Sequence, residues 1–309
     1  MNTPHVVVVG SSNTDMVVKT AHLPKPGETV VGGTFVMAAG GKGANQAVAA
    51  ARLGARTTFI AKVGDDLFGR QAVEGYQREG IDTRCVLRDA ERPTGVALIL
   101  VDERGENLIS VASGANESLS PEDIDGAAEV IRSADIVVMQ LEIPLPTVCR
   151  AAEIAAAAGV PVILDPAPAP SRPLPDDLLR HVTYLKPNES EAERLTGVAV
   201  ADADSAQAAA DRLLASGPRA VIVTLGARGA LVVERPGEGV MVPPHAVSAV
   251  DTTAAGDAFS GALAVALARG ESLLDAARFA AVAGALAASR MGAQPSLPTE
   301  AEVRAARGA

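Results

Sequence analysis

Short runs of β-branched and aliphatic residues alternate with alanine-rich stretches along most of the chain. Because continuous apolar strands separated by helices are typical of βαβ units, this pattern predicts an α/β fold with a mostly parallel central sheet and helices on both faces. The predicted strands are Val6–Val9, Thr57–Ala61, Ile136–Met139, Val162–Leu164, Tyr184–Lys186, Ala220–Thr224 and Ala230–Val233. The predicted helices are residues 42–53, 66–79, 121–132, 146–158, 189–195, 204–215, 256–268 and 272–290.

Two segments interrupt this alternation. Residues 16–37 alternate between apolar and polar positions, and residues 94–112 have the pattern of a hairpin with its turn at 102–106. Neither has room for a crossover helix, so we predict a small separate β-sheet formed by residues of about 14–38 and 94–113. Such a sheet would act as a lid over a cleft. The pattern alone is equally typical of two surface hairpins.

Composition and charge are those of a folded globular chain and argue against some partners. The 309 residues are 48% hydrophobic and 21% charged, and this length fits either about two typical domains or one α/β domain. The formal net charge of −10 argues against a nucleic-acid partner, because it opposes binding to a phosphate backbone. Aromatic residues make up only 2%, so a polar ligand would be held by hydrogen bonds rather than by stacking on rings.

The cysteines and the apolar runs predict a cytoplasmic protein with no membrane partner. Cys85 and Cys149 are far apart and lack metal-ligand spacing, so we expect two buried thiols. The first ten residues contain four consecutive valines and no basic segment, which predicts a strand rather than a secretion signal. No apolar run reaches the roughly 18 residues of a membrane span.

A glycine-rich segment at residues 39–46, AGGKGANQ, precedes an alanine-rich helix. Glycines allow a backbone to approach a ligand closely, and the first turn of a helix presents free N–H groups. Lys42 is followed by Gly43 rather than by Ser or Thr, so the segment is not a P-loop. Lys42 and Asn45 are predicted to lie on one face of the first turn. A purely structural helix entry would have the same pattern.

A second helix entry, residues 250–259 (VDTTAAGDAF), combines small residues with an acid. The N–H groups of Ala254, Ala255 and Gly256 are predicted to form an anion site at the helix start. Asp257 would take a proton from an attacking hydroxyl while those N–H groups neutralise a transferring group. Asp257 also fits an ordinary first-turn acid favoured by the helix dipole, and we expect it to stay ionised there.

Two further segments follow predicted strands. Asn188 and Glu191 have the spacing of a capping box, and they are also suited to hold a hydrated Mg²⁺ beside phosphate oxygens. Residues 224–229, TLGARG, form either a tight hairpin turn or a turn that contacts a nucleotide. The sequence has no HExxH, GxSxG or GxGxxG motif, which argues against a zinc protease, a serine hydrolase and a nicotinamide-dependent dehydrogenase.

Taken together, these motifs resemble those of the ribokinase (PfkB) family of carbohydrate kinases along nearly the whole chain. The segments that carry the resemblance are SSNTD, GGKGANQAVAAARLGA, VGDDLFG, TGVAL, QLE, DPAPA, KPNESEAE, TLGARG, DTTAAGDAF and GAQPS. The resemblance implies a Rossmann-like, ribokinase-like α/β fold in which residues 1–309 form a single domain. It also implies Mg²⁺-dependent transfer of the γ-phosphoryl group of ATP to the primary 5-hydroxyl of ribose.

The resemblance implies roles for residues at matching positions. Asp257 would be the catalytic base, and Ala254, Ala255 and Gly256 would form the anion hole. The sugar contacts would be Asn13, Asp15, Gly41, Lys42, Gly43, Asn45, Glu142 and Asp257. The nucleotide contacts would be Asn188, Thr224, Gly226, Gly229 and Gly256, with Glu191 placing Mg²⁺ through water. An activating K⁺ would lie near Asp251, Thr253, Ala287, Arg290, Gly292 and Ser296.

The resemblance further implies a homodimer in which two lids pack together. Ala281 departs from the family pattern, because the family often has a polar side chain there near the adenine. A kinase of deoxyribose, a keto-sugar or a nucleoside such as adenosine remains an alternative, as does a catalytically silent sugar-binding regulator. Asp15, Glu142 and Asp257 favour a neutral polyol, whose hydroxyls donate to carboxylates. The presence of both Asp257 and the small-residue loop favours an active kinase.

Overall fold

The computed structural model describes residues 3–235 and 237–308, so residues 1, 2, 236 and 309 of the predicted domain lie outside it. The strands are β1 (His5–Val9), β2 (Asn13–Lys19), β3 (Thr34–Gly40), β4 (Arg56–Gly64), β5 (Val86–Asp89), β6 (Gly95–Val101), β7 (Asn107–Ala112), β8 (Ile136–Met139), β9 (Val162–Leu164), β10 (Tyr184–Leu185), β11 (Ala220–Thr224), β12 (Ala230–Glu234) and β13 (Val240–Val242). The helices are α1 (Lys42–Arg52), α2 (Leu67–Arg78), α3 (Pro121–Gly126), α4 (Ala128–Arg132), α5 (Leu145–Ala157), α6 (Asp176–His181), α7 (Glu189–Thr196), α8 (Ala203–Ala215), α9 (Ala255–Ala268), α10 (Leu273–Ala288) and α11 (Glu300–Gly308).

The larger sheet is mostly parallel, as predicted. Its strand order is β13-β12-β11-β10-β9-β8-β1-β4-β5, and only the pairs β11–β12 and β12–β13 are antiparallel. The turn at residues 224–229 joins the antiparallel strands β11 and β12, as expected for a hairpin.

Helices cover both faces of this sheet, which explains the continuous apolar runs in the sequence. Every residue of β1 is buried. Val6 and Val8 belong to a core shared with α1, α9 and α10, whereas Val7 and Val9 belong to a second core shared with α5 and α8. A strand that is buried on both faces has no polar side to show in its pattern. Among the described residues, none of the helices has the length and hydrophobicity that crossing a bilayer requires.

The two interrupting segments form a separate four-stranded sheet in the order β3-β2-β6-β7. Strands β2 and β6 pair in parallel from Asn13↔Gly95 to Lys19↔Val101, and each forms an antiparallel pair with its outer neighbour. The hairpin turn between β6 and β7 is closed by a hydrogen bond from the Asp102 N–H to the Glu106 carbonyl, as predicted. We call this unit the small sheet.

Some elements differ from the prediction. The helix expected at 121–132 is divided into α3 and α4, because Ala127 between them leaves helical geometry with φ −102°. Strands β5 and β13 are at the two edges of the larger sheet and were not predicted. They are only 4 and 3 residues long, which is too short for a clear hydrophobic pattern.

Close packing of α1 against α9 brings the two glycine-containing helix entries together. A Cβ atom on Gly261 of α9 would lie 2.6 Å from the Cβ atom of Ala49 on α1 and 3.0 Å from the carbonyl oxygen of Gln46. Only a residue without a side chain allows this approach. Side chains in the first turns of α1 and α9 therefore reach one another.

Candidate active site

The carboxyl ends of the central parallel strands and the first turns of α1 and α9 surround a cavity of about 400 Å³. In open α/β sheets this edge is where ligands bind. The cavity wall brings together many of the residues singled out from the sequence: Asn13, Asp15, Gly41, Lys42, Asn45, Glu142, Asn188, Glu191, Thr224, Thr253, Ala254, Gly256 and Asp257. The small sheet contributes Ala97, Ile99, Ile109 and Val111, which the sequence analysis did not identify.

Lys42 is a half-buried cation among the carboxylates of the cavity. Burial alone would lower the pKa of this ammonium group, but the charges of Asp257, Asp165 and Glu142 outweigh burial and raise it. Lys42 therefore carries its charge throughout the neutral range. It supplies a fixed positive charge at this site in a chain whose formal net charge is −10.

Asp257 occupies the first turn of α9 and is only 5% exposed. Its Oδ2 atom accepts a hydrogen bond of 2.9 Å from Asn45, and its Oδ1 atom accepts one of 3.0 Å from Gln46. Burial raises the pKa of Asp257, while the Lys42 charge opposes that rise. Loss of hydration is thus the largest influence on the pKa of Asp257, and the expectation that this carboxyl group stays ionised remains a prediction. A raised pKa makes this carboxylate a better proton acceptor.

The loop before Asp257 leads into a helix start, but it leaves fewer free backbone N–H groups than the sequence predicts, because the Ala255 N–H already has a partner. Ala254 adopts the left-handed conformation with φ 60°, and the first helical hydrogen bond runs from the Ala258 N–H to the Ala254 carbonyl over 2.8 Å. The Ala255 N–H donates to the Thr252 carbonyl over 3.2 Å. The N–H groups of Gly256 and Asp257 lie in the first turn, where a helix offers no carbonyl partner. N–H groups in this position, beside the Asp257 carboxylate, are suited to bind an anion.

Asp165 and Lys186 form a buried ion pair in the cavity wall that the sequence analysis did not assign. The Lys186 Nζ atom lies 3.0 Å from Asp165 Oδ2, and the two side chains are 4% and 3% exposed. The same Nζ atom is 3.7 Å from the point where a Cβ atom on Gly256 would stand. Lys186 therefore places a second positive charge next to the helix start. The signal available in the sequence was a charged residue directly after each of two buried strands.

Glu142 is held in the cavity wall by two donors from other segments. Its Oε2 atom accepts 2.6 Å and 3.0 Å hydrogen bonds from the Ser11 hydroxyl and the Lys42 N–H. Ser11 itself is fully buried. The other carboxylate oxygen of Glu142 is left for a ligand in the cavity.

Asn188 and Glu191 form the capping box that their spacing predicts. The Asn188 side chain accepts from the Glu191 N–H, and the Glu191 side chain accepts from the Asn188 N–H, each over 2.8 Å. Both residues also line the cavity, so capping and ligand contact are compatible. Burial is the main cause that raises the pKa of Glu191, followed by the nearby Asp165 charge.

The residues of the predicted K⁺ site lie in two adjoining segments. The Asp251 carboxylate accepts hydrogen bonds from the N–H groups of Thr253 and Gly292, of 2.9 Å and 2.8 Å, and so ties the segments together. The Arg290 side chain instead donates to Glu302 over 2.6 Å. The Ser296 hydroxyl donates to the Ala293 carbonyl over 2.7 Å.

Several predicted site residues are absent from the cavity wall that the described residues form. Gly43 packs under the loop after β1, because a Cβ atom there would lie 2.5 Å from the Ser11 nitrogen. Gly229 has φ +92° and sits in the β11–β12 turn, where a Cβ atom would lie 2.1 Å from the Val242 carbonyl oxygen. The remaining residues outside the wall are Ala255, Gly226, Asp251, Ala287, Arg290, Gly292 and Ser296.

Comparisons with known proteins agree with this geometry. Residues 3–300 match the family model described as pfkB family carbohydrate kinase. The chain belongs to the pfkB family of carbohydrate kinases. A ribokinase of Haemophilus influenzae is 44% identical over 96% of both chains, and a deoxyribokinase of Salmonella typhi is 40% identical over 95% of both. The structure of Arabidopsis thaliana ribokinase complexed with ribose and ATP has a TM-score of 0.91 at 37% identity, covering 99% of each chain.

Membership of the pfkB family makes the chain a kinase, a phosphotransferase that acts on a carbohydrate. The predicted family, fold class and enzyme class are thus confirmed. The roles of individual residues are not tested by these comparisons and remain predictions.

Asp15 provides a test of the acidic cavity that is independent of catalysis. Burial, and then the charges of Glu142 and Asp257, raise the pKa of Asp15 to about 6. Between pH 4 and pH 6 the Asp15 carboxyl group ionises in the unfolded chain but stays largely protonated in the native state, so stability is lost as the pH rises from about 4 to about 6. We expect Asp15→Asn to increase the free energy of unfolding by about 1–2 kcal/mol at pH 7.5 and to change it little at pH 4. Urea denaturation at both pH values measures this; equal effects would contradict it.

Proposed function

We propose that the protein transfers the γ-phosphoryl group of ATP to the 5-hydroxyl of D-ribose, which gives ribose 5-phosphate. The observation that carries the proposal is the buried Asp257 carboxylate directly beside a helix start with free N–H groups, in one cavity with Lys42. Relatives named ribokinase over nearly the full length support ribose as the sugar. We place the reaction in the cytoplasm.

The sugar would lie between α1, β2 and Glu142. Hydroxyl groups donate to carboxylates, so Asp15 and Glu142 suit a neutral polyol. Asn45 and Asn13 add amide groups, and Lys42 donates from an ammonium group. Gly41 would let the α1 entry approach the ring, since it has φ +90° and carries no side chain. Gly43 would contribute to sugar binding indirectly, because its close packing against the loop after β1 holds the start of α1 in position.

In the proposed reaction, Asp257 accepts the proton of the attacking hydroxyl. The sugar oxygen forms the new bond to phosphorus as the bond to the leaving ADP oxygen breaks. The N–H groups of Ala254, Gly256 and Asp257 and the ammonium group of Lys186 neutralise the charge of the transferring group, whereas the Ala255 N–H already donates to Thr252. Phosphoryl transfer depends mainly on such alignment and charge neutralisation.

The nucleotide would lie on the side of Asn188, Thr224 and the 226–229 turn. Asn188 and Thr224 line the cavity and form a β-bridge to one another. Gly226 and Gly229 give the turn a backbone that a nucleotide can approach. Ala281 on α10 offers no hydrogen bond to adenine, so we propose that the base is held by shape and backbone contacts.

The residues present fit a hydrated Mg²⁺. Among the described residues, no cluster of three or more His, Cys, Asp or Glu is arranged to ligate a metal directly. However, the Asp165 Oδ1 atom is buried with no hydrogen-bond partner, and Glu191 lines the same cavity. Mg²⁺ retains water and binds few protein groups beside phosphates. Glu191, with Asn188 and Asp165, would hold it through water, and the ion would neutralise phosphate charge.

We propose that K⁺ binds near Asp251, Thr253, Ala287, Arg290, Gly292 and Ser296 and supports the anion site. The fit rests on Asp251, which joins the segment before the helix start to Gly292. Hydrogen bonds to the Asp251 carboxylate lower its pKa against the effect of burial, so it keeps the negative charge that a cation needs.

The small sheet would close over the sugar as a lid. Directly paired residues share a face of a sheet, so Ala97 and Val111 lie with Asp15 on the cavity side. The opposite face exposes apolar side chains, including Phe35 at 60% and Leu98 at 56%. Exposed apolar patches of this kind favour association. We propose that two lids pack through these faces in a homodimer.

The dimer is tested by light scattering at micromolar concentration. We expect about twice the chain mass of 31.3 kDa, and Leu98→Lys on the outer face should return a monomer. A wild-type protein that scatters as a single chain would contradict the dimer without affecting the proposed reaction.

A coupled assay of ADP release tests the reaction itself. The panel contains ribose, deoxyribose, fructose and adenosine with ATP and Mg²⁺, each in K⁺ and in Na⁺. We expect ribose to give the highest kcat/KM and K⁺ to increase it. A higher kcat/KM for another acceptor would replace ribose by that acceptor. Sugar binding without any ADP release would support a silent regulator and contradict the kinase.

A further inference from the structure

Gln46 lies behind the carboxylate of Asp257, outside the cavity wall. Its side chain is fully buried. The Nε2 atom donates one hydrogen bond to Asp257 Oδ1 over 3.0 Å and another to Asp165 Oδ2 over 2.9 Å. Gln46 thus uses both amide hydrogens on the two buried acids of the site.

The orientation of the Gln46 amide is fixed by a third partner. Gln140 Nε2 donates to Gln46 Oε1 over 2.6 Å, and Gln140 is also fully buried. With the amide rotated by half a turn, its carbonyl oxygen would face two carboxylates and its NH₂ group would face a donor. The observed arrangement is therefore the one in which every contact pairs a donor with an acceptor.

Asn45 and Gln46 together prevent rotation of the Asp257 carboxylate. They are consecutive on α1, and each donates to a different oxygen of Asp257. Asn45 does so from the cavity side, whereas Gln46 does so from behind. We propose that Gln46 is a positioning residue, which sets the direction in which Asp257 faces the sugar hydroxyl and keeps it apart from Asp165. This inference rests on the proposed role of Asp257 as the base.

The charges that face Asp257 explain why this contact affects proton transfer. Lys42 on α1 and Lys186 after β10 are positive, whereas Asp165 after β9, Asp15 on β2 and Glu142 after β8 are negative. The Gln46 amide hydrogens lie between Asp257 and Asp165, because each of these carboxylates accepts a hydrogen bond from Gln46. Removing them leaves the two carboxylates facing each other, which favours protonation of Asp257.

The test replaces Gln46 by Met, which has a similar volume and no hydrogen-bond donor. We expect Gln46→Met to lower kcat by about 10- to 100-fold, because small misalignments of reacting groups have effects of this size. The KM for the sugar should change less than threefold. The acidic limb of the kcat profile should move to higher pH. Gln46→Glu, which keeps the shape but replaces the donor by an acceptor, should be at least as slow at pH 7.

Two measurements separate the outcomes. Gln140→Met leaves both donors of Gln46 in place and should lower kcat less than Gln46→Met does. The titration of Asp257, followed by ¹³C NMR of its carboxyl group, should move to higher pH in Gln46→Met whether or not ribose is the substrate. An unchanged titration and an unchanged acidic limb would overturn the inference, even with lower activity. A failed sugar panel with a shifted titration would overturn the proposed function alone.

Discussion

Asp257→Asn is expected to fold, to bind sugar and to lose about a thousandfold in kcat. The loss follows because an amide cannot accept the hydroxyl proton, and positioned proton acceptors contribute about 10²- to 10⁴-fold. The variant should still fold, because it removes the negative charge of a buried carboxyl group whose pKa is already raised by loss of hydration. Steady-state kinetics with ribose and ATP give kcat, and calorimetric titration gives the sugar affinity.

Asp275→Asn is the matched control for this variant. Asp275 occupies the third position of α10, as Asp257 does in α9, but it interacts with Ser272 and Arg278. We expect its kcat to stay within twofold of wild type. If Asp257→Asn retained kcat within tenfold of wild type, Asp257 would be only a first-turn acid, and the assignment of the base would be wrong.

Lys186→Met is expected to affect both stability and rate. Removing one member of a buried ion pair leaves an uncompensated charge, which costs about 3–5 kcal/mol. We expect a loss near the lower value, about 3 kcal/mol, because Gln46 and Ser260 still donate to Asp165. The kcat should fall by about 100-fold, since the ammonium group lies beside Gly256. Urea denaturation and steady-state kinetics measure the two effects.

Two further variants separate the effect on stability from the effect on rate. Lys186→Met combined with Asp165→Asn should recover most of the stability, because no unpaired charge remains, but it should stay slow. Lys62 lies away from the cavity and forms an ion pair with Asp123 at a distance of 2.7 Å. Lys62→Met should therefore leave kcat unchanged. Full activity in Lys186→Met would show that this ammonium group takes no part in phosphoryl transfer.

The sequence predicted the central sheet well because its strands are buried on both faces. A short run of apolar residues such as Val6–Val9, with no polar positions in it, is typical of a strand that is covered on both faces. The edge strands Val86–Asp89 and Val240–Val242 were missed because strands of so few residues are too short to show an alternation of apolar and polar positions. The break at Ala127 was missed because neither glycine at 126 nor alanine at 127 is a residue type that rules out a continuous helix.

The candidate site could be predicted where a helix entry carries its own signal. Lys42 and Asp257 follow glycine or alanine stretches, and both lie in the cavity as expected. Asp165 and Lys186 gave no such signal, because their pairing depends on which strands are neighbours in the sheet. Ile99 and Ile109 were missed for a related reason: the face that a residue of the small sheet occupies depends on the strand register, which the turn alone did not determine.

The clustering of Asp15, Glu142 and Asp257 around the proposed sugar position also affects the release of the product. A phosphate monoester carries close to two negative charges at neutral pH, whereas the free sugar carries none. Once the leaving nucleotide and its cation depart, a sugar phosphate at this position would face these three acids. We therefore expect weak product inhibition by ribose 5-phosphate. The three carboxylates that would bind the hydroxyls of the neutral sugar would repel its phosphorylated product.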